Sequence, residues 1–115
     1  MLPAAAEAGI GVIGKRSLGN APWRFAERPH GDYCEVYWGR MQALAYDVLG
    51  MPWDEFALRF SAFAPNVGSA IVGTTSTRHL RHNVGLAERG PLSIDAVAAI
   101  MARFRELGTD WHGEV

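Results

Sequence analysis

Two short apolar runs, Ile10–Gly14 and Ala70–Val72, read as buried β-strands, and the stretches around them alternate at helical spacing. Two strands cannot by themselves make a stable α/β sheet with helices packed around them. A doubly wound fold needs several more strands, and a closed (β/α) barrel needs eight strands and roughly 200 or more residues. The chain has 115 residues, enough for one small domain, spanning residues 1–115, and not for two. The pattern therefore predicts the closing part of a larger barrel. It also predicts that the chain starts in the middle of something, since a helix as short as Pro3–Ala8, closed by Gly9, is not stable alone.

Between the strands the spacing predicts a helical excursion. Asp32 is placed to cap a helix, with Glu35 three residues on in the capping-box position. Tyr37, Met41, Leu44 and Val48 then recur along one helical face, ending before Gly50 and Pro52. A second helix opens at Pro52 or Trp53 with Phe56, Phe60 and Phe63 on one face, and Pro65 closes it. A helix followed by a short loop and a strand is the return half of a βαβ unit, so the two strands are expected to run parallel. Beyond the second strand, one helix runs from Ser76 to about Glu88. Another is capped by Ser93, with Val97, Ile100, Phe104 and Leu107 as its apolar face, ended by Gly108, with Trp111 packing back.

The stretch Ser69–Val84 carries the chemistry. Gly73 ends the strand and permits a tight turn or close approach of a ligand; Thr74, Thr75 and Ser76 supply hydroxyls. The helix that follows presents the positive end of its dipole, with Arg78, His79, Arg81 and His82 in its first two turns. Such an arrangement suits an anion, a phosphate above all. A capped strand–turn–helix also occurs in any α/β protein, with its basic residues simply solvated. The first strand runs directly into Lys15–Asn20, a polar loop at the carboxyl end of a parallel strand, where α/β folds bind ligands.

Composition narrows the classes. Eleven Lys and Arg against twelve Asp and Glu give a net charge of −1, which does not support a nucleic-acid or anionic-membrane surface. No stretch is apolar enough to span a bilayer. The single cysteine, Cys34, cannot form an internal disulfide and is expected as a small packed residue in a reducing, cytoplasmic compartment. His79 and His82, without a third ligand, are a poor basis for a metal site.

Four segments, Gly9–Leu18 (GIGVIGKRSL), Ala57–Phe60 (ALRF), Ser69–Ser76 (SAIVGTTS) and His79–Asn83 (HLRHN), occur in the order found in the C-terminal part of the aldo/keto reductases, which the chain resembles. The resemblance implies a (β/α)8 TIM barrel of which this chain would hold strands seven and eight with surrounding helices, and NADPH as cofactor. It sets Arg16, Ser17 and Leu18 beside the cofactor pyrophosphate, Gly73, Thr75 and His79 at the adenosine phosphate, and His82 and Asn83 at adenine. Ser17 stands where that family often has proline, Lys15 where many members have an aromatic ring, and His82 where a carboxylate is common. The family's catalytic Asp, Tyr, Lys and His set belongs to the first half of the barrel. Lys15, His30 and Tyr33 do not lie in matching motifs. The resemblance thus implies a cofactor-binding piece of a carbonyl-reducing oxidoreductase, inactive alone. The alternative is a non-catalytic nucleotide-binding or interaction module, completed by a chain supplying the rest of the barrel or by self-association.

Overall fold

The computed structural model describes residues 2–44, 50–108 and 110–112. The first helix, α1 (Leu2–Glu7), is closed as expected by Gly9 at φ 67°. The Ile10 N–H reaches back to the Ala5 carbonyl at 2.8 Å and the Gly9 N–H to that of Ala6 at 3.1 Å, a Schellman closure. The chain continues through β1 (Ile13–Gly14), a single 3-10 turn at Pro22–Arg24, α2 (Glu35–Leu44), α3 (Trp53–Ala62), β2 (Ser69–Ala70), α4 (Thr77–Ala87) and α5 (Ile94–Leu107).

The strands pair in parallel, as the helix–loop–strand order requires, with Ile13 opposite Ser69 and Gly14 opposite Ala70. The Val12 carbonyl accepts the Gly68 N–H at 3.0 Å, and the Gly14 carbonyl accepts the Ile71 N–H at 2.9 Å. The pairing ends there, which corrects two expectations. The strands are shorter than Ile10–Gly14 and Ala70–Val72, and the fold class is not a TIM barrel, whole or partial. Among the described residues, five α-helices dominate and two residues per strand make up the sheet. The physical reason lies in burial. A parallel strand is stable when both faces are covered, yet Ile13 is 64% and Ile71 58% exposed, so these runs are not core strands here.

The core lies among the helices instead. Phe56 of α3 packs with Leu92, Ala96 and Ile100, with Leu44, Met51, Trp53, Phe60 and Val97 against them. Trp53 meets Phe56 edge-on at 6.0 Å, and Phe56 stacks on Phe60 at 5.9 Å. Burial of Phe56 and Ile100 contributes about 1.5–3 kcal/mol each. Phe63 departs from the expected face: it is the C-cap of α3, beyond the last helical turn, and it is exposed. Phe104 and Leu107 of α5 are likewise partly exposed; Trp111 returns to meet Phe104 edge-on at 5.7 Å, as expected. Val48 of the α2 stripe lies outside the described residues, while Tyr37, Met41 and Leu44 are half-buried.

Charged and polar side chains fasten the helices. Glu55 is 5% exposed, and its carboxylate accepts from Arg59 Nη1 at 2.6 Å and from Arg89 Nη1. Arg59 continues through Nε to the Gly90 carbonyl and through Nη2 to the Pro91 carbonyl, both at 2.8 Å, so one cluster ties α3 to the α4–α5 turn. Ser76 and Ser93 cap α4 and α5, accepting the N–H groups of His79 at 3.4 Å and Ala96 at 3.2 Å. At α2 the capping box is displaced by one residue. Asp32 Oδ1 accepts the Cys34 N–H at 2.9 Å, but Glu35 Oε2 reaches past Asp32 to the Gly31 N–H at 2.8 Å. Among the described residues, no helix is long and apolar enough to cross a membrane.

Candidate functional site

Because β1 and β2 lie side by side and run the same way, the loops leaving their carboxyl ends emerge together. Between them opens a cleft of about 960 Å³. One wall is the loop from Lys15 to Arg24, the other is the turn from Ile71 to Thr74 with the first two turns of α4; Asp32, Tyr33 and Asp54 close the sides. The two short strands thus matter less as a sheet than as a clamp that holds the two loops at one end.

Of the eight residues named from sequence, seven line this cleft: Arg16, Ser17, Leu18, Gly73, His79, His82 and Asn83. Thr75 does not, and it is exposed. Its neighbour Thr74 lines the cleft instead, with its Oγ1 accepting the Ser76 N–H at 3.1 Å, which holds the turn before α4. Both threonines are exposed, and it is Thr74 whose hydroxyl braces the N-cap.

Arg16 sits in the left-handed region at φ 58°. Its Nη1 donates to the Tyr37 hydroxyl at 3.5 Å, and its guanidinium lies 5.4 Å from the Tyr33 ring centre. The bond to Tyr37, with smaller contributions from Tyr33, pushes its pKa above the ordinary arginine value, so the cation is permanent. Ser17 is buried; its carbonyl accepts from Ser61 Oγ at 3.3 Å, while its own hydroxyl is buried without a hydrogen-bond partner among the described residues. A buried hydroxyl left in that state is costly, and it calls for a ligand or a structural reason.

On the opposite wall, His79 Nε2 is 3.4 Å from Arg78 Nη2, and His82 Nε2 is 2.7 Å from Asp54 Oδ2. Asp54 was not legible as a site residue. It occupies the first turn of a helix, where an acidic residue is expected for the dipole alone. It sets a carboxylate beside His82. Trp23, expected only as an apolar anchor, and Tyr33 also line the cleft, and Arg24 pairs with Asp32 at 3.5 Å. Counting Lys15, Arg16 and Arg24 against Asp32 and Asp54, with histidines neutral, the lining carries one net positive charge.

Nucleophilic chemistry has little support here. Cys34 is buried, and burial followed by the Asp32 carboxylate pushes its thiol pKa up, which keeps it protonated. Among the described residues, no group of three His, Cys, Asp or Glu side chains is placed to hold a metal ion. What the cleft can do is hold an anion between fixed cations, hydroxyls and a helix start. No family model, curated protein or solved structure matches the chain, so the likeness to aldo/keto reductases rests on the quoted motifs alone.

Proposed function

We propose that this chain binds NADP(H) or a closely similar phosphorylated nucleotide in the cleft, and that it does so without carrying out chemistry on it. What supports the reading is the convergence of two motifs from opposite halves of the chain, Arg16–Leu18 and Gly73–Asn83, on one basic cleft. The volume, about 960 Å³, lies at the upper end of the range for small-molecule sites, which suits a ligand as large as a dinucleotide. Arg16 and His79 would hold phosphate oxygens, and the start of α4 adds its dipole. Asn83 and the His82–Asp54 pair would meet a base edge. The cofactor, when bound, supplies hydride chemistry; this chain's residues only bind and orient it.

Titration of the purified protein with NADPH, followed by the nicotinamide fluorescence, tests this. Weak saturable binding is expected, weaker still for NADH, which lacks the 2′-phosphate. Arg16→Ala and His79→Ala should each lower affinity by about tenfold, as loss of a charge-assisted hydrogen bond does. No binding of NADPH, or affinities unchanged by both substitutions, would remove the assignment. Carbonyl-dependent NADPH oxidation by the chain alone would contradict the non-catalytic part.

A second reading, an interaction module, is favoured by one observation: Ile13 of β1, and Ile10 and Ile71 in the segments flanking the paired strands, are each more than half exposed. Apolar strand residues in that state suit a partner strand or a second copy. Sedimentation across a concentration series should show association that Ile13→Lys abolishes; a monomer throughout would end this reading.

A further inference from the structure

A second cavity lies behind the first. It is an apolar groove of about 430 Å³ between α2, α3 and α5, and it shares the Arg16–Gly19 loop with the cleft as a common wall. Its floor and far end are hydrocarbon and aromatic: Met41, Trp53, Phe56, Phe60, Ile100 and Phe104. Its polar side chains are Arg16 and Ser17 of the loop, Tyr37 and Arg40 of α2, and Ser61 of α3, with Arg40 Nη2 donating to the His112 carbonyl at 2.7 Å. Ser61 Oγ binds the Ser17 carbonyl, Arg16 adjoins Ser17, and Arg16 Nη1 donates to the Tyr37 hydroxyl. Ser17 lines the groove, is 6% exposed, and carries a hydroxyl with no hydrogen-bond partner among the described residues.

We propose that this groove binds a straight-chain aliphatic carboxylate, its hydrocarbon tail among the aromatic residues and its head group at Ser17 and Arg16. The chemistry follows from the lining. An apolar channel of this size favours a ligand that gives up hydrocarbon surface to it. The Ser17 hydroxyl next to the Arg16 guanidinium, with Arg40 also in the lining, suits a ligand with one anionic, planar acceptor. A carboxylate oxygen accepting from Ser17 Oγ satisfies the buried hydroxyl that the protein leaves without a partner. A wholly apolar ligand would leave that group as it is, and a phosphate-bearing nucleotide has no tail for the groove. The site shares Arg16 and Ser17 with the nucleotide cleft, but its apolar lining is its own and takes a different ligand, so decanoate binding is tested in the absence of nucleotide.

Decanoate and decanol, both below the concentration at which they form micelles, are the probes. Trp23 and Trp53 line the groove, so binding is read from tryptophan emission and checked by calorimetry. Saturable decanoate binding is expected, with decanol about tenfold weaker. Ser17→Ala should weaken decanoate by about tenfold and leave decanol unchanged, which a merely structural role for Ser17 would not produce. Ala57→Phe, which places a ring in the groove, should abolish binding of both. Absence of saturable decanoate binding, equal binding of acid and alcohol, or a Ser17→Ala variant that binds decanoate like the wild type would each overturn the proposal. The Ser17→Ala comparison decides alone if Ala57→Phe does not fold.

Discussion

The cluster at Glu55 yields the sharpest stability prediction. Glu55→Ala removes a carboxylate that is 6% accessible and that accepts from two guanidinium groups. The two arginines do not feel the loss equally. The Arg59 side chain is 13% accessible and would remain buried as a cation, still held by the Gly90 and Pro91 carbonyls but facing no counter-charge. The Arg89 side chain is 58% accessible and turns to water. Breaking a buried pair from one side costs about 3–5 kcal/mol, chiefly from the stranded charge. Arg89→Ala leaves Glu55 bonded to Arg59 and removes a mostly solvated partner, so its cost is about 1 kcal/mol or less. Set against a typical domain stability of about 5–15 kcal/mol, the first change is severe and the second is mild.

Urea unfolding followed by tryptophan emission measures both. With a slope of about 1–3 kcal/mol/M, Glu55→Ala should lower the midpoint by about 1 M or more, and Arg89→Ala by a few tenths of that. Glu55→Gln keeps one oxygen acceptor and should fall between them. The slope itself should not change, since the substitution alters contacts and not the surface exposed on unfolding. If Glu55→Ala and Arg89→Ala both stay within about 0.5 kcal/mol of the wild type, the cluster does not hold α3 to the α4–α5 turn and the reasoning fails.

Two further outcomes follow from the start of α2. Hydrogen bonds from the Cys34 N–H to Asp32, and from the Gly31 N–H and then Arg28 to Glu35, hold both carboxyl pKa values below their ordinary range. Their contribution is therefore present above the unfolded values, near 4, and is lost as pH falls through the lower folded values. Unfolding midpoints measured from pH 6 down to about pH 3 should drop, and Asp32→Asn with Glu35→Gln should flatten that drop; an unchanged profile in the double variant would refute the assignment. The Cys34 thiol, buried and pushed up in pKa, should react with a disulfide reagent at mildly alkaline pH only as fast as the protein opens, and immediate stoichiometric reaction of the native protein would contradict its burial.

Local chemistry carried most of what sequence could reveal. Gly9, Ser76 and Ser93 mark the helix ends where they stand because each solves a backbone problem within a few residues. The parallel pairing was legible for a similar reason: helix, short loop and strand form the return half of a βαβ unit. The extent of the strands was not. Ile10–Gly14 and Ala70–Val72 have strand composition, but composition cannot say whether anything covers the faces, and Ile13 and Ile71 lie largely in solvent. The inferred barrel failed at that step. Glu55 and Arg59 stand at helical i,i+4 spacing, but that they are buried and joined by Arg89 was hidden, as was the Asp54–His82 pair, because these partners lie 34 and 28 residues apart and each reads alone as an ordinary surface charge. That Thr74 and not Thr75 lines the cleft was not legible either, because adjacent hydroxyls cannot be ranked before the turn that separates them is known.

The loop after β1 forms the wall that the two cavities share. Arg16, Gly19, Asn20 and Ala21 all adopt positive φ, between 52° and 61°. Glycine takes this region without penalty, but each other residue there costs about 1 kcal/mol, and Asn somewhat less. Such a run persists only when its surroundings over-determine it. Here they do: Gly19 N–H binds the Arg16 carbonyl at 2.8 Å, Ala21 N–H binds that of Leu18 at 2.7 Å, and Ser61 holds the Ser17 carbonyl from α3. The left-handed turn at Arg16 sets its guanidinium on Tyr37 and leaves the Ser17 hydroxyl on the wall between the cavities. A relaxed loop would give up both placements. A loop already fixed in this shape loses little freedom when an anion arrives, so the strain held in the free protein lowers the ordering cost of binding.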